Sequence, residues 1–233
     1  MESVRIFGPR GKGRTVTEAE WLASDDLLLV LETLEPWAAD EEVSDRKLRL
    51  FACACCRRMW HLLTDETRQH TVELAERYAD GEATEEEIID RRRMTFLGTE
   101  QDRGNEPVVV RCCLMQGDIR GDTYDYLMKI LHELLKPTVK PHLTEEGAAE
   151  AFLCRDIFGN PFNPVSFDPS WLTSTVTALA QQMYDSRDFS AMPILADALQ
   201  DANCDDPQIL EHCRGLGPHV RGCWVCDLCL NKS

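Results

Sequence analysis

The sequence predicts an all-α protein, a single multi-helix orthogonal bundle of about nine to ten helices. Three observations point there. Apolar residues recur at spacings of three and four, helix-capping residues precede most of these runs, and no pair of alternating segments offers a β-sheet. With 233 residues, 43% of them hydrophobic and 28% charged, the chain has enough apolar surface to build a core.

Residues 1–14 carry Gly8, Pro9, Gly11, Gly13 and four basic residues without apolar periodicity, which predicts a flexible N-terminal arm. A single helical domain is expected over 15–233. Thr17 and Glu20 form a capping-box pattern ahead of Trp21 and Leu22, and a short helix from Asp26 to Leu34 is expected to end before Pro36. Ser44 is an N-cap for the clearest amphipathic helix, with Leu48, Phe51, Ala52, Cys55, Met59, Leu62 and Leu63 on one face. Thr64 opens a helix that stops near Asp80 and Gly81, and Thr84 with Glu87 caps the next. Short connections between these helices predict antiparallel neighbours.

The polar stretch from Gly98 to Pro107 reads as a loop. Val108–Met115 fits a strand or a buried helix and is assigned helix because no partner strand is visible. Tyr124, Leu127, Met128, Leu131, Leu134 and Leu135 form a helical face that Pro137 ends, and Thr144–Phe158 is a further helix. The Pro/Asn-rich segment 159–168 marks a sub-boundary. Asp168-Pro169 predicts a helix running to about Asp185, followed by helices near 191–202 and 207–213, the latter opened by Asp206-Pro207. After the Gly215–Pro218 turn, the final helix is expected over 219–230.

Acidic residues outnumber basic ones 41 to 25, for a net charge of −16. Such a field repels phosphate backbones and anionic lipid, so nucleic acid and membrane are excluded as expected partners. No run approaches the roughly 20 apolar residues of a membrane span, and the first residues lack a secretion-signal layout, which predicts a cytoplasmic protein. Eleven cysteines, with the adjacent pairs Cys55-Cys56 and Cys112-Cys113, suit reduced thiols better than a disulfide framework.

The C-terminal stretch concentrates chemistry: Cys204, His212, Cys213, His219, Cys223, Cys226 and Cys229. These residue types bind zinc, usually four to one ion. On a continuous helix Cys223 and Cys226 can converge, whereas Cys229 lies about 9 Å further along the axis, so the three cannot share an ion. A four-cysteine iron–sulfur run ending in proline is absent. Cys53 and Cys56 form a second pair two residues apart, followed by Arg57 and Arg58, but within a helix rather than after a strand, which argues against a thioredoxin-type motif. The candidate metal ligands are Cys53, Cys56, His212, Cys213, His219 and Cys223. Packing as small hydrophobes is the competing reading of the same cysteines. No nucleophile turn and no glycine-rich phosphate loop is present, and acid pairs such as Glu145-Glu146 sit at helix starts, where the macrodipole accounts for them.

The segments SDRKLRLFACACCRR, from Ser44 to Arg58, and GPHVRGCW, from Gly217 to Trp224, resemble a family of uncharacterised bacterial proteins. The likeness extends through Thr17–Leu22 and Pro193–Leu199 and covers most of the chain. It implies no activity, cofactor or catalytic residue. In that family's pattern the segment after the shared tryptophan is usually aliphatic where this chain has Cys226 and Cys229, which argues against those two as ligands and leaves Cys213, His219 and Cys223 open.

Two functional expectations follow. The first is a non-catalytic cytosolic adaptor or regulatory protein without a cofactor, binding another protein through Arg214, His219, Arg221 and Trp224. The alternative is a small zinc-binding protein with a structural Cys/His site near the C-terminus. An enzyme is the less favoured reading, because no catalytic motif is assembled.

Overall fold

A computed structural model describes residues 4–5, 15–39, 44–58, 60–63, 66–97 and 143–232. The helices expected over Val108–Met115 and Tyr124–Leu135 lie outside the described residues. The class is all-α: ten α-helices occur among the described residues, with one two-residue antiparallel ladder. That ladder pairs β1 (Val4–Arg5) with β2 (Thr15–Val16). No described helix is long and apolar enough to cross a membrane.

The chain divides into two compact units, Met1–Ala151 and Phe152–Ser233. Their division falls between Ala151 and Phe152, inside a helix.

In the first unit, Thr17 caps α1 (Glu18–Ala23) with the reciprocal bonds of a capping box. Its backbone N–H donates to Glu20 Oε2 at 2.9 Å, and the Glu20 N–H donates back to Thr17 Oγ1 at 3.3 Å. Helix α2 (Leu27–Ala39) runs through Pro36 instead of stopping before it. A proline there forfeits one backbone bond a single turn from the helix end, where little helix remains to be disrupted. Helix α3 (Asp45–Arg58) starts at Ser44, whose Oγ accepts the Lys47 N–H at 3.3 Å. Its residues Leu48 to Cys56 are all buried, the three cysteines included.

Helix α4 (Glu66–Ala79) is tied to α3 by charge as well as packing. The Arg57 guanidinium donates to both oxygens of Glu76, at 3.0 and 2.8 Å, and Arg46 donates to Asp80 Oδ1 at 3.0 Å. The fork between Arg57 and Glu76 is the form in which burying a carboxylate is tolerated. Gly81, at φ 74°, ends the helix, and a second capping box between Thr84 and Glu87 opens α5 (Glu85–Leu97).

Helix α6 (Leu143–Phe158) crosses the division, and its last turns belong to the second unit. There Asp168 caps only a 3₁₀ turn, Pro169–Trp171, and the helix expected from it starts later. Thr173 accepts the Val176 N–H at 3.3 Å and caps α7 (Ser174–Ser186). Helices α8 (Met192–Asp201) and α9 (Pro207–Arg214) follow, the latter capped by Asp206 as predicted. The last helix, α10 (Trp224–Cys229), is shorter than the expected 219–230. Gly222 at φ 92° and Cys223 at ψ 125° keep the preceding residues out of helical geometry. The core of this unit joins Val176, Ala180, Met183, Leu195, Leu199 and Ile209 with five cysteines: 204, 213, 223, 226 and 229.

One face of α6 positions the segment between α9 and α10. Phe152 and Asp156, four residues apart, share one stripe of the helix, and Gly159, at φ 72°, follows its last residue. A methyl group on Gly217 would lie 1.5 Å from the Phe152 ring, and one on Gly159 would meet Trp224 at 3.3 Å. Gly217→Ala should therefore destabilise the protein by about 1–3 kcal/mol, the usual cost of overpacking. Urea denaturation checks this, and most of the cost should vanish in a Phe152→Ala background; an equal cost in both backgrounds would show that the ring is not the obstacle.

Candidate metal centre

The site is built around Asp156, in the last turn of α6. A carboxylate there opposes the helix dipole, yet this one has no solvent exposure, so other groups must stabilise it. Its Oδ2 accepts the backbone N–H of Val220 at 3.0 Å. That bond anchors the tight turn in which Cys223 N–H donates to Val220 O at 2.9 Å, and the turn sets His219 and Cys223 beside the same carboxylate. His212 arrives from the last turn of α9.

The remaining oxygen, Oδ1, faces both rings: His219 Nδ1 at 2.6 Å and His212 Nε2 at 3.2 Å. Cys223 Sγ lies 3.2 Å from His212 Nε2 and 3.9 Å from His219 Nδ1. All four donor atoms lie within 4.8 Å of one another. Asp156 and Cys223 are buried, and the His212 and His219 side chains are only 17% and 5% exposed. Among the described residues this cluster can hold a metal ion.

The geometry separates two chemistries. A nucleophilic relay places the carboxylate on one imidazole nitrogen and the nucleophile on the other. Here each histidine turns a single nitrogen toward both Asp156 and Cys223. Donors converging on one point form a coordination pattern. Tetrahedral zinc, with bonds of about 2.0–2.3 Å, sets its donors about 3.3–3.8 Å apart, and three of the four contacts above lie within a few tenths of an ångström of that range. The shorter Asp156–His219 contact is a hydrogen bond that an ion would replace.

Protons hold the cluster together without an ion. Burial works against the Asp156 charge, but hydrogen bonds from His212 and His219 outweigh it and keep the carboxyl below the ordinary range. Burial likewise opposes charge on His219, and its bond to Asp156 overcomes that, lifting the ring to about 10. Burial pushes the Cys223 thiol well above its usual value.

His212 is subject to opposing influences. Against burial, Cys223 and Asp156 draw its pKa up to about 9. On the ring's other side the Trp224 indole N–H donates to Nδ1 at 3.2 Å. An indole N–H only donates, and a protonated Nδ1 has no lone pair to receive it. A proton on Nδ1 and the indole N–H therefore compete for the same space between the two rings.

Of the predicted ligands, His212, His219 and Cys223 come together here. Cys213 is buried in the apolar core of the same unit, outside the four-donor group. Cys226 also points into that core, where its Sγ donates to Met192 Sδ at 3.6 Å. Cys53 and Cys56 are buried in α3 of the first unit and belong to no metal-binding group among the described residues. The residues expected to form an interaction surface are engaged within the unit. Arg214 is held by Asp197 and Gln200 at 2.9 and 2.8 Å, and the Arg221 guanidinium lies 4.7 Å from the centre of the Tyr184 ring. His219 and Trp224 belong to the cluster described above. Asp156 was missed by sequence reasoning. Its signal was a carboxylate in the final turn of a predicted helix, where nothing in the helix itself favours one.

No protein-family model, curated protein or solved structure matches this chain.

Asp156→Asn should destabilise the ion-free protein by about 3–5 kcal/mol, because it leaves buried partners without their counter-charge. The contribution of His219 is complete below its unfolded value of about 6.5 and is lost as pH rises through about 10. Thermal melts of chelator-treated protein should therefore show stability falling from pH 7 to pH 10, less steeply in His219→Gln. Parallel profiles for the two proteins would refute the assignment.

Proposed function

We propose that residues 152–233 form a zinc-binding unit in which Asp156, His212, His219 and Cys223 hold one structural ion. The observation that carries this reading is convergence: a carboxylate oxygen, two imidazole nitrogens and a sulfur face one point inside the protein. Mixed oxygen, nitrogen and sulfur donors suit zinc. Calcium and magnesium take oxygen ligands, and copper(II) and nickel(II) favour square-planar arrangements.

Charge supports a divalent ion. Without metal, and with His212 neutral as its contact with the Trp224 indole N–H favours, the Asp156 carboxylate is balanced by the His219 imidazolium. With Zn²⁺, the two anionic donors Asp156 and Cys223 balance the ion. The buried site stays neutral in both states, which avoids the cost of a net charge away from water. Four protein donors also fill the four positions zinc ordinarily uses, leaving none for substrate, and this favours a structural over a catalytic ion.

Protein purified without added metal under reducing conditions should contain one zinc per chain by elemental analysis, and His212→Ala and Cys223→Ser should lose it. Retention of no ion by the wild type, together with no uptake of added zinc, would refute the proposal. Rebinding at pH 7 should release two protons per ion, one from His219 and one from Cys223, because zinc takes neutral imidazole and thiolate. Titration calorimetry in buffers of differing ionisation enthalpy measures that number.

A further inference from the structure

The other side of His212 carries information that the four donors do not. Trp224, the first residue of α10, directs its indole N–H at Nδ1 of His212 from 3.2 Å, with the two rings 5.0 Å apart and inclined at 53°. The indole has little freedom to turn away, since α6 ends against it at Gly159, where even a methyl group would meet the ring at 3.3 Å. A histidine that binds zinc through Nε2 carries its proton on Nδ1, and the usual partner of that N–H is an acceptor such as a carboxylate or carbonyl. Here the partner is a donor.

We infer that Trp224 is a positioning residue that holds His212 in the tautomer opposed to metal binding, and so sets the zinc affinity of the centre below what its four donors would give. This inference rests on the zinc reading above. When zinc occupies the site, His212 neither gains nor loses a proton overall: the Nε2 proton leaves, Nδ1 acquires one, and the indole hydrogen bond is broken. The cost of that broken bond is carried by every binding event. Because Trp224 begins α10, ion capture also shifts the first turn of that helix.

Trp224→Phe tests this with a sign that packing alone does not produce. Phenylalanine keeps an aromatic ring against Gly159, lacks the N–H and is smaller than indole, and lost packing by itself would lower affinity rather than raise it. Zinc affinity, measured by competition with a chromophoric chelator, should rise roughly fivefold, the equivalent of one ordinary hydrogen bond. A purely structural role for the indole would instead leave affinity unchanged or lower it, and either result in a folded variant overturns the inference.

Nitrogen-15 spectra of the histidine rings in ion-free wild type give a second readout, independent of the variant's folding. His212 should show its proton on Nε2, and a proton on Nδ1 would overturn the inference. The indole N–H resonance that disappears in Trp224→Phe should be the one that shifts when zinc is added to the wild type. If the wild type takes up no zinc, the zinc reading falls, and the tautomer spectrum alone decides whether Trp224 controls His212.

Discussion

A fully buried carboxylate at the end of a helix is the constraint on which the C-terminal unit depends. Asp156 sits where the dipole of α6 disfavours it and water cannot reach it. Its two oxygens resolve the problem differently. Oδ2 takes a backbone N–H and thereby fixes the turn after α9, while Oδ1 draws in two histidines. The 220–223 turn, the start of α10 at Trp224 and the meeting of His212 with His219 all trace to those contacts. Close packing then holds the arrangement in register, with Gly217 against Phe152 and Gly159 against Trp224.

The cysteines of this unit divide by surroundings. Cys204, Cys213, Cys226 and Cys229 lie in an apolar core with Leu195, Leu199 and Ile209, and behave there as small hydrophobes. Cys223 belongs to the same core but is also the residue at which the chain turns into α10, so its sulfur reaches both imidazoles. Burial keeps such a thiol protonated and unreactive. A nucleophile would need access and a base on a different nitrogen. Neither is provided.

Local chemistry was legible where it acts within a few residues. Thr17–Glu20, Thr84–Glu87 and Asp206 are caps whose bonds join residues two or three apart, so their geometry follows from the sequence. The departures occurred where two local signals compete. Pro36 signals a stop, yet a proline in a final turn costs little and α2 continues through it. Asp168-Pro169 carries a helix-start signature but closes only a 3₁₀ turn, because Thr173 supplies a second cap to which α7 responds. The final helix starts at Trp224 rather than at 219, because Gly222, with its positive φ, belongs to the turn before it.

By itself the sequence determined the helical class, most helix starts, and the fact that the chemistry concentrates between His212 and Cys223, because periodicity, capping and ligand type are properties of neighbouring residues. Only the tertiary structure decided that Asp156, more than fifty residues upstream, completes the cluster, that Cys213 does not, and that both histidines direct one nitrogen to the same point. Coordination depends on where lone pairs point in space. That direction is set by the packing of α6 against the turn between α9 and α10, which no spacing along the chain encodes.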